Sequence, residues 1–456
     1  MKQPKTAAVI LAAGKGTRMK SRLPKVMHPI AGRPMVLHVL ATLSALKIDR
    51  SVVVVGPGME SVATAVAPSR VAVQEKQLGT GHAVMAAREA LKGFAGDVLV
   101  LYGDTPLLSA GTLRRVLAAL RRKPRPAVVV LGFEPADPGA YGRLVLARDG
   151  SLDRIVEYRD ASAAERAIRL CNSGVMAVDG RRLFTLLGEI NNRNAKREYY
   201  LTDIVARARA RRLGCAVVRA PAEELLGVNS RAELASAEAV VQARLRGRAL
   251  DRGATLLDPS SVYFAHDTVV GRDVTIGPGV VFGPGVRVGD DVEIRAFCHI
   301  EGATIAAGAV IGPFARLRPG AVIGAGAHIG NYVEVKQATI EAGAKANHLS
   351  YIGDAHVGSG ANVGAGTITC NYDGFFKSKT VIGRGAFIGS NSALVAPVTV
   401  GDGAIIGAGS VITRDVEADA LAVTRADQRD SKGWAARFRR RRAAQKAALK
   451  ANKARG

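Results

Sequence analysis

A stretch of small and basic residues near the start of the chain is the first place where the sequence indicates chemistry. The apolar run at residues 9–11 leads directly into the Ala- and Gly-rich segment 12–18, and Lys25 follows it. Small side chains after a strand let backbone N–H groups approach a phosphate, and lysines supply positive charge there. The spacing is not that of a Walker A loop, and Met19 stands where a dinucleotide fingerprint needs its third glycine. A phosphate loop is one interpretation, and an ordinary tight turn is the other.

A carboxylate follows another apolar run. Asp104 comes just after residues 98–102, at the expected carboxyl end of a sheet strand, where open α/β sheets bind ligands. Because Mg²⁺ prefers a few hard oxygen ligands together with substrate phosphates, Asp104 is a candidate metal anchor. The alternative is a helix cap or turn, since Thr105 and Pro106 come next.

A second group of polar side chains is scattered over the C-terminal half. These residues form one site only if the fold stacks distant segments of the chain on each other. They are Arg318, Lys336, His348, Tyr351, Asn362, Asn371 and Tyr372.

The elements that must position the first group have an α/β pattern. Apolar runs of β type at residues 7–11, 52–55, 71–73, 98–102 and 128–131 alternate with helical patterns. This alternation predicts an α/β domain with a mostly parallel sheet.

One helix is predicted between residues 229 and 252. Ser230 precedes it and Glu233 stands three residues later, which is the arrangement of a capping box. We interpret this helix as the connector to a second domain.

A six-residue period begins after Gly253 and predicts a parallel β-helix, in which each short strand turns one apolar side chain inward. The alternative, a glycine-rich β-sandwich, needs period-two strands and hairpin dipeptides, which are scarce here. The period breaks between residues 368 and 381, so residues 370–376 are expected to project as a loop. The predicted inward positions, with one slip at Ile305, are Val270, Ile276, Phe282, Val288, Ile294, Ile300, Ile305, Ile311, Leu317, Ile323, Ile329, Val335, Ile382, Ile388, Leu394, Val400, Ile406 and Ile412.

The charge and the cysteines of the chain indicate its partners and its cellular compartment. The formal net charge is +25, and ten basic residues without a carboxylate lie between Lys432 and Arg455. We expect a solvated tail with no specific nucleic-acid partner, contact with a membrane surface being the alternative. The four cysteines are widely spaced, and the sequence shows neither a secretory segment nor an apolar run of about 20 residues. We therefore expect free thiols in the cytoplasm.

Several motifs together resemble known enzymes. The segments 11–19, 24–25, 77–83 and 102–104 resemble sugar nucleotidyltransferases, and 347–351 and 364–374 resemble a hexapeptide-repeat acetyltransferase. In this order they are similar to the bacterial bifunctional family that combines N-acetylglucosamine-1-phosphate uridyltransferase with glucosamine-1-phosphate N-acetyltransferase. The resemblance covers nearly the whole chain and leaves out the basic tail.

The resemblance implies a fold and a domain order. The fold class is α/β, with an N-terminal Rossmann-like nucleotidyltransferase domain, a long linker helix and a C-terminal left-handed parallel β-helix. Its implied limits are 1–229 for the uridyltransferase (pyrophosphorylase) domain, 230–253 for the linker helix, 254–430 for the acetyltransferase domain and 431–456 for the tail. A homotrimer is implied in the same way.

For the first domain the resemblance implies attack of N-acetylglucosamine 1-phosphate on the α-phosphorus of UTP, with release of pyrophosphate. Such transfer needs positioning and charge neutralisation more than covalent help from the protein. The implied Mg²⁺ ligands are Asp104 and Asn229. The implied substrate-binding residues are Leu11, Ala12, Ala13, Gly14 and Lys25 for the nucleotide and phosphate, Gln74, Gly79 and Thr80 for uracil, Tyr102 and Gly103 beside Asp104, and Gly142, Glu157 and Asn172 for the sugar.

For the second domain it implies acetyl transfer from acetyl-CoA to the amine of glucosamine 1-phosphate. A base with a pKa near the working pH suits this step, and free imidazole titrates at about 6.5. His348 is therefore the candidate base, and a surface histidine at a corner is the alternative. The implied sugar-phosphate residues are Arg318, Lys336, Tyr351 and Asn362, and those for acetyl-CoA are Ala365, Asn371, Tyr372, Ser390, Ala408 and Arg425.

Two other functions are the alternatives. A nucleotidyltransferase with a purely structural β-helix would not need Arg318, Lys336 and His348, and a non-catalytic sugar-nucleotide sensor would tolerate loss of Asp104. His82 lies in the motif 77–83 without an evident task.

Overall fold

The computed structural model describes residues 4–453 of the chain. The chain divides into two compact units, one ending at Arg287 and the other beginning at Val288. This division falls inside the repeats, so the functional limits at residues 229 and 253 remain a prediction.

The strands of the first unit come in two kinds, long ones in an α/β sheet and two-residue ones in the repeats. They are β1 (Thr6–Leu11), β2 (Pro29–Ile30), β3 (Arg33–Pro34), β4 (Arg50–Val55), β5 (Arg70–Val73), β6 (Asp97–Tyr102), β7 (Val128–Phe133), β8 (Arg143–Leu146), β9 (Leu152–Val156), β10 (Cys171–Asp179), β11 (Cys215–Arg219), β12 (Thr255–Leu256), β13 (Val269–Val270), β14 (Thr275–Ile276) and β15 (Val281–Phe282), with β16 (Arg287–Val288) at the limit.

Helices cover both faces of the long sheet, one forms the predicted connector, and one more lies in the tail. They are α1 (Met35–Ala45), α2 (Glu60–Ala65), α3 (Thr80–Ala86), α4 (Ala110–Arg121), α5 (Ala163–Arg166), α6 (Gly180–Leu187), α7 (Asp203–Ala210), α8 (Arg231–Asp251) and α9 (Trp434–Lys453).

The central sheet has nine strands, and its backbone order is β11-β7-β10-β6-β1-β4-β5. All five strands predicted from the sequence are present, and β6, β1, β4 and β5 pair in parallel. The valines and isoleucines of β1, β4 and β6 are buried on both faces, as expected for a sheet covered by helices on each side. Val71 and Val73 of the edge strand β5 are exposed. The sheet is mixed, however, because β10 enters antiparallel between β6 and β7. The sequence did not indicate β10, whose first residues are polar.

The predicted connector helix is α8. Ser230 is its N-cap and accepts a hydrogen bond from Glu233 N. Glu233 Oε2 accepts from Asn229 N at 2.7 Å, one residue before the N-cap. The cap therefore holds Asn229 at the entrance to the helix.

The second unit is built from short parallel strands. They are β17 (Glu293–Ile294), β18 (His299–Ile300), β19 (Thr304–Ile305), β20 (Val310–Ile311), β21 (Arg316–Leu317), β22 (Val322–Ile323), β23 (His328–Asn331), β24 (Glu334–Lys336), β25 (Thr339–Ile340), β26 (Lys345–His348), β27 (Tyr351–Gly353), β28 (Ala355–Val357), β29 (Asn362–Val363), β30 (Ile368–Cys370), β31 (Thr380–Ile382), β32 (Phe387–Ile388), β33 (Ala393–Val395), β34 (Val398–Val400), β35 (Ile405–Ile406), β36 (Val411–Ile412) and β37 (Leu421–Ala422).

Every third strand of this unit joins the same sheet, so three sheets wrap around one apolar interior. Residues opposite each other come from successive coils, as with Leu317 and Val335. The predicted inward positions are buried, with one exception in the first unit. Val270 is only partly buried, because β13 is the first strand of its sheet and no coil precedes it.

The predicted projecting loop is present but begins later than expected. Cys370 still belongs to β30, and the chain leaves the coil at Asn371. Phe375 and Phe376 are 87% and 74% exposed, and Asp373 Oδ1 accepts hydrogen bonds from both of their N–H groups.

The basic tail forms the helix α9, whose described side chains lie mostly in solvent. Trp434 stacks on Phe438 at 5.1 Å between ring centroids. Arg455, part of the predicted basic run, lies outside the described residues. Within residues 4–453, no helix is long and apolar enough to cross a membrane.

Candidate active sites

The first candidate site is a cavity of about 340 Å³ at the carboxyl ends of β1, β5 and β6. Its size is in the range of ligand pockets, and it has the position at which open α/β sheets bind ligands. Its lining residues are Leu11, Ala12, Ala13, Gly14, Lys25, Val26, Gln74, Gln77, Gly79, Thr80, Ala83, Tyr102, Asp104 and Glu198.

The loop after β1 forms one wall of this cavity. Ala12 N donates to Val54 O at 2.8 Å, and Gln77 Nε2 donates to Ala13 O at 2.6 Å, so the loop is held from two sides. Gly16 has a φ of 61°, and a Cβ there would lie 2.6 Å from Lys25 Cβ. The small residues thus bring the loop close to Lys25.

Lys25 joins the two predicted metal ligands. Its Nζ forms an ion pair with Asp104 Oδ2 and donates to Asn229 Oδ1 at 3.0 Å. Val228 N donates to Asp104 O at 2.9 Å, which ties the entrance of the connector helix to this sheet edge. A carboxylate and an amide oxygen therefore converge on one cation, and this donor set fits Mg²⁺. Asp104 is not a helix cap.

The predicted uracil residues line the same cavity. Gly79 has a φ of 110°, and a Cβ there would lie 2.7 Å from Tyr199 O, so no other residue fits without a shift. Thr80 Oγ1 accepts from Leu201 N at 3.1 Å. The Gln74 side chain is nearly buried, with its Nε2 facing Gly79 O and His82 Nδ1.

The three predicted sugar residues come together next to the cavity without appearing in its lining. Asn172 N donates to Gly142 O at 2.8 Å, and the pairing of β8 with β9 brings Gly142 and Glu157 to the same end of the hairpin. Burial raises the pKa of the Glu157 carboxyl, against the opposing effect of a hydrogen bond from Thr202.

Tyr102 and Gly103 connect these parts. Burial and then the negative charges of Asp104 and Glu157 raise the pKa of Tyr102 well above its ordinary value, so the phenol stays neutral. Gly103 N donates to Leu11 O at 2.9 Å.

The second candidate site follows one corner of the repeat unit. At this corner the chain passes from the sheet that contains β26 to the sheet that contains β27, and residues of successive coils stack above one another. His348 ends β26 and Tyr351 begins β27, with Leu349 between them at a φ of 49°.

His348 has a partner that the sequence analysis missed. Its Nδ1 lies 2.6 Å from Asn331 Oδ1, and Asn331 is opposite His348 in the strand register. Because an amide oxygen only accepts, His348 Nδ1 carries the proton and Nε2 keeps a free lone pair. Asn331 could have been found from the sequence, because it stands one coil before His348 and is therefore opposite it.

Arg318, Lys336 and Tyr351 lie on the β27 side of the corner, whereas Asn362, the fourth predicted sugar-phosphate residue, is in the sheet of β26. Strand pairing stacks Arg318 and Lys336 in successive coils, and Arg318 Nη1 donates to Glu334 Oε1 at 2.7 Å. Lys336 Nζ lies 3.8 Å from Asp354 Oδ2, and the neighbouring Lys336 ammonium lowers the pKa of Lys377. Lys377 was missed because it belongs to the loop, where no repeat position predicts it.

Asn371 links this group to the projecting loop. Its Nδ2 hydrogen-bonds Asp354 Oδ2 and lies 3.5 Å from Tyr351 Oη. Tyr372 is 61% exposed on the loop, and its hydroxyl donates to Gly374 O at 2.5 Å. Asn362 lies on β29, opposite Lys345 of β26. Within residues 4–453, no hydrogen bond or ion pair joins His348 to Lys336 or Arg318.

The remaining acetyl-CoA candidates continue the same corner in later coils. Asn391 N donates to Ala365 O at 2.7 Å, and Gly409 N donates to Ser390 O at 2.8 Å, so the segments of Ala365 and Ser390 stack. Arg425 Nη1 hydrogen-bonds Ala408 O. The structure therefore places these predicted residues in one column.

Comparison with known proteins gives the same two halves. Residues 8–175 match the family model of the MobA-like NTP transferase domain. Residues 267–302, 302–337 and 379–414 each match the bacterial transferase hexapeptide model of six repeats. The chain is 65% identical to the bifunctional protein GlmU of Paramagnetospirillum magneticum over 98% of its own length and 99% of that protein. It is 66% identical to the bifunctional protein GlmU of Rhodospirillum rubrum over 95% of its length and 97% of that protein.

The chain belongs to the family of bifunctional GlmU proteins. The fold prediction is confirmed, with a Rossmann-like nucleotidyltransferase unit, a helix, and parallel strands of hexapeptide repeats in a left-handed β-helix. The predicted function is confirmed as well, so the chain makes UDP-N-acetylglucosamine by acetyl transfer and uridylyl transfer. This excludes the sensor and the purely structural β-helix. UTP and acetyl-CoA are its co-substrates, the nucleotidyl transfer is metal-dependent, and the chain forms an oligomer.

Proposed function

We propose that the two reactions take place at the two sites described above, with the residue roles that the sequence predicts. In the first site, the loop from Leu11 to Gly14 and Lys25 hold the triphosphate of UTP. Gln74, Gly79 and Thr80 contact uracil, while Gly142, Glu157 and Asn172 hold N-acetylglucosamine 1-phosphate. The observation that carries this proposal is the convergence of Lys25, Asp104 and Asn229 at the open end of the sheet.

Mg²⁺ is the proposed metal of the first site, with Asp104 and Asn229 as its ligands. When bound, the ion neutralises phosphate charge as pyrophosphate leaves. Lys25 neutralises part of the same charge and, before substrate binds, pairs with Asp104 so that neither ion is left alone at the sheet edge. The neutral phenol of Tyr102 adds no further negative charge beside the phosphates.

In the second site His348 is the proposed general base for acetyl transfer. Its Nε2 accepts a proton from the amine of glucosamine 1-phosphate as the amine nitrogen bonds to the thioester carbonyl carbon. The carbon–sulfur bond then breaks, and the imidazolium returns this proton to the sulfur, so that coenzyme A leaves as the thiol. Arg318 and Lys336 bind the phosphate, with Tyr351 and Asn362 on the sugar. Acetyl-CoA follows the column of Ala365, Ser390, Ala408 and Arg425, next to Asn371 and Tyr372.

A homotrimer is the proposed assembly. A row of exposed apolar side chains supports self-association. These side chains are at the corner that carries the second site and belong to Phe297, Phe314, Tyr332 and Leu349. The first three rings stack at 5.1 and 5.2 Å between centroids. Covering these side chains with a second copy would bury apolar surface beside His348.

The setting and the limits of the domains also remain proposals. We place the enzyme in the cytoplasm, because its four cysteines are free thiols, as is usual in a reducing compartment. The proposed limits are those of the sequence analysis, with Asn229 at the end of the uridyltransferase domain. The tail after Gly433 is proposed to be solvated, and equal sedimentation with anionic vesicles by full-length and truncated protein would support this.

One coupled assay tests the proposal. The protein is incubated with glucosamine 1-phosphate, acetyl-CoA, UTP and Mg²⁺, and each component is omitted in turn. Omission of acetyl-CoA should stop the release of both coenzyme A and pyrophosphate. Omission of UTP or Mg²⁺ should stop only the release of pyrophosphate. Pyrophosphate release that continues without any divalent cation would contradict the proposed metal site.

A further inference from the structure

The side-chain amide of Gln74 is held by two groups of the protein. Gln74 follows β5 and is 4% exposed, and its Nε2 donates to Gly79 O at 3.1 Å. The same nitrogen lies 3.2 Å from His82 Nδ1. A carbonyl oxygen only accepts, so the nitrogen end of the amide must face Gly79. His82 Nδ1 therefore accepts as well, and the ring proton is on Nε2.

This arrangement uses both N–H groups of the amide inside the protein. Among the described residues, none donates a hydrogen bond to Gln74 Oε1. Since Gln74 lines the cavity of the first site, the amide offers this cavity an acceptor and no donor.

We propose that His82 is a positioning residue that holds the Gln74 amide with its oxygen toward the nucleobase, so that the site selects bases with an N3–H group. The inference rests on the proposed role of Gln74 in uracil binding. Uracil carries a donor at N3 between two carbonyl groups, and Oε1 can accept from it. Cytosine has a lone pair at the same position, which would face Oε1 without a proton between them.

The energetic reason lies in what a rotated amide would meet. Rotation by half a turn would point Oε1 at Gly79 O, which is an acceptor in every case, and a buried acceptor without a donor is costly. His82 Nδ1 accepts from the amide only while the ring proton is on Nε2, so the rotated amide would also require a change of the His82 tautomer. His82 supplies one of these two contacts. It keeps its place because the start of α3 is tied down, with Gly81 N donating to Tyr199 O at 2.8 Å.

The test measures kcat and KM of uridylyl transfer with UTP and with CTP for two variants at one position. His82→Leu keeps a side chain of similar bulk but removes the acceptor. We expect the KM for UTP to rise about tenfold with little change in kcat, and the ratio of kcat/KM for UTP over CTP to fall about tenfold. His82→Asn carries an oxygen near the position of Nδ1 and should keep the wild-type ratio. TTP, which has the same N3–H, should follow UTP in each variant.

The controls separate this inference from the proposed uracil site. Gln74→Met tests that site itself, and an unchanged KM for UTP would contradict the role of Gln74 in uracil binding. If Gln74→Met weakens UTP binding but His82→Leu keeps the wild-type ratio of UTP to CTP, only the role of His82 is wrong. A merely structural effect of His82→Leu would lower activity with both nucleotides equally, which also overturns the proposal. Acetyl transfer by each variant reports that the protein is folded.

Discussion

The two active sites position their charged side chains in different ways. The first gathers residues from distant segments at the edge of one sheet, and its charges neutralise one another, as Lys25 does with Asp104. The second stacks residues of successive coils along an exposed corner, where Arg318 and Lys336 lie one above the other. A buried site depends on every partner, because an unpaired charge is costly there, whereas a site on a corner depends on the regular spacing of the coils.

If the two sites are independent, loss of Asp104 should show the largest difference between them. Asp104→Ala removes a proposed metal ligand and leaves Lys25 without its carboxylate partner. We expect pyrophosphate release to fall about a thousandfold, while acetyl transfer is retained. Parallel assays of pyrophosphate and free coenzyme A check this. Full uridyltransferase activity in the variant would refute the metal assignment.

The reverse difference is expected from the second site. His348→Ala removes the proposed base, and general-base catalysis is worth about a hundredfold to ten-thousandfold. Acetyl transfer should therefore fall by that amount in a coenzyme A release assay, with uridylyl transfer unchanged. His356→Ala, on β28 two strands later, is a matched control, and an equal loss in that variant would argue against a special role of His348.

A smaller effect on the second site is expected from Asn331. Asn331→Leu removes the acceptor that keeps the proton of His348 on Nδ1, so the imidazole is free to present the wrong tautomer. We expect kcat of acetyl transfer to fall about tenfold, with the KM for acetyl-CoA nearly unchanged. Asn331→Asp keeps an oxygen acceptor and should recover most of kcat. Equal activity of the leucine and wild-type enzymes would show that the contact is not used.

The smallest expected effect concerns the buried carboxyl of Glu157 in the first site. The raised pKa of Glu157 means that its ionised form is penalised in the folded state. This penalty is absent at low pH, where the carboxyl is protonated in both states, and it grows as the pH rises through the unfolded and then the folded pKa. Glu157→Gln should therefore raise the melting temperature by a few degrees at pH 8 and by less at pH 5.

The same substitution carries a functional cost. The KM for N-acetylglucosamine 1-phosphate should rise, because the proposed sugar contact loses its charge. Scanning calorimetry of the ligand-free protein at the two pH values separates the gain in stability from this loss in binding. A melting temperature that falls at pH 8 would contradict the penalty.

Much of the second unit was predictable from the sequence. A six-residue period determines which side chain of each short strand turns inward, because the strands repeat the same local geometry. The burial of Ile323 and Ile406 shows this directly. The loop after Cys370 was predictable for the same reason, since it interrupts the period.

Less of the first unit was predictable. Apolar runs indicated β1, β4 and β6, yet not the antiparallel β10 between β6 and β7, because strand order depends on packing between segments far apart in the chain.

By itself, therefore, the sequence determined the two architectures, the connector helix and the residues that can take part in catalysis or binding. These follow from local periodicity and from motifs. Only the tertiary structure decided which partners they have. The ion pair of Lys25 with Asp104, the hydrogen bond of Asn331 to His348 and the contact of Gln74 with His82 depend on side chains that meet through folding. The first of these pairs is far apart in the chain, the second is one coil apart and the third is one loop apart. In each, the protonation or orientation of a reactive group is set by a neighbour that no local pattern encodes.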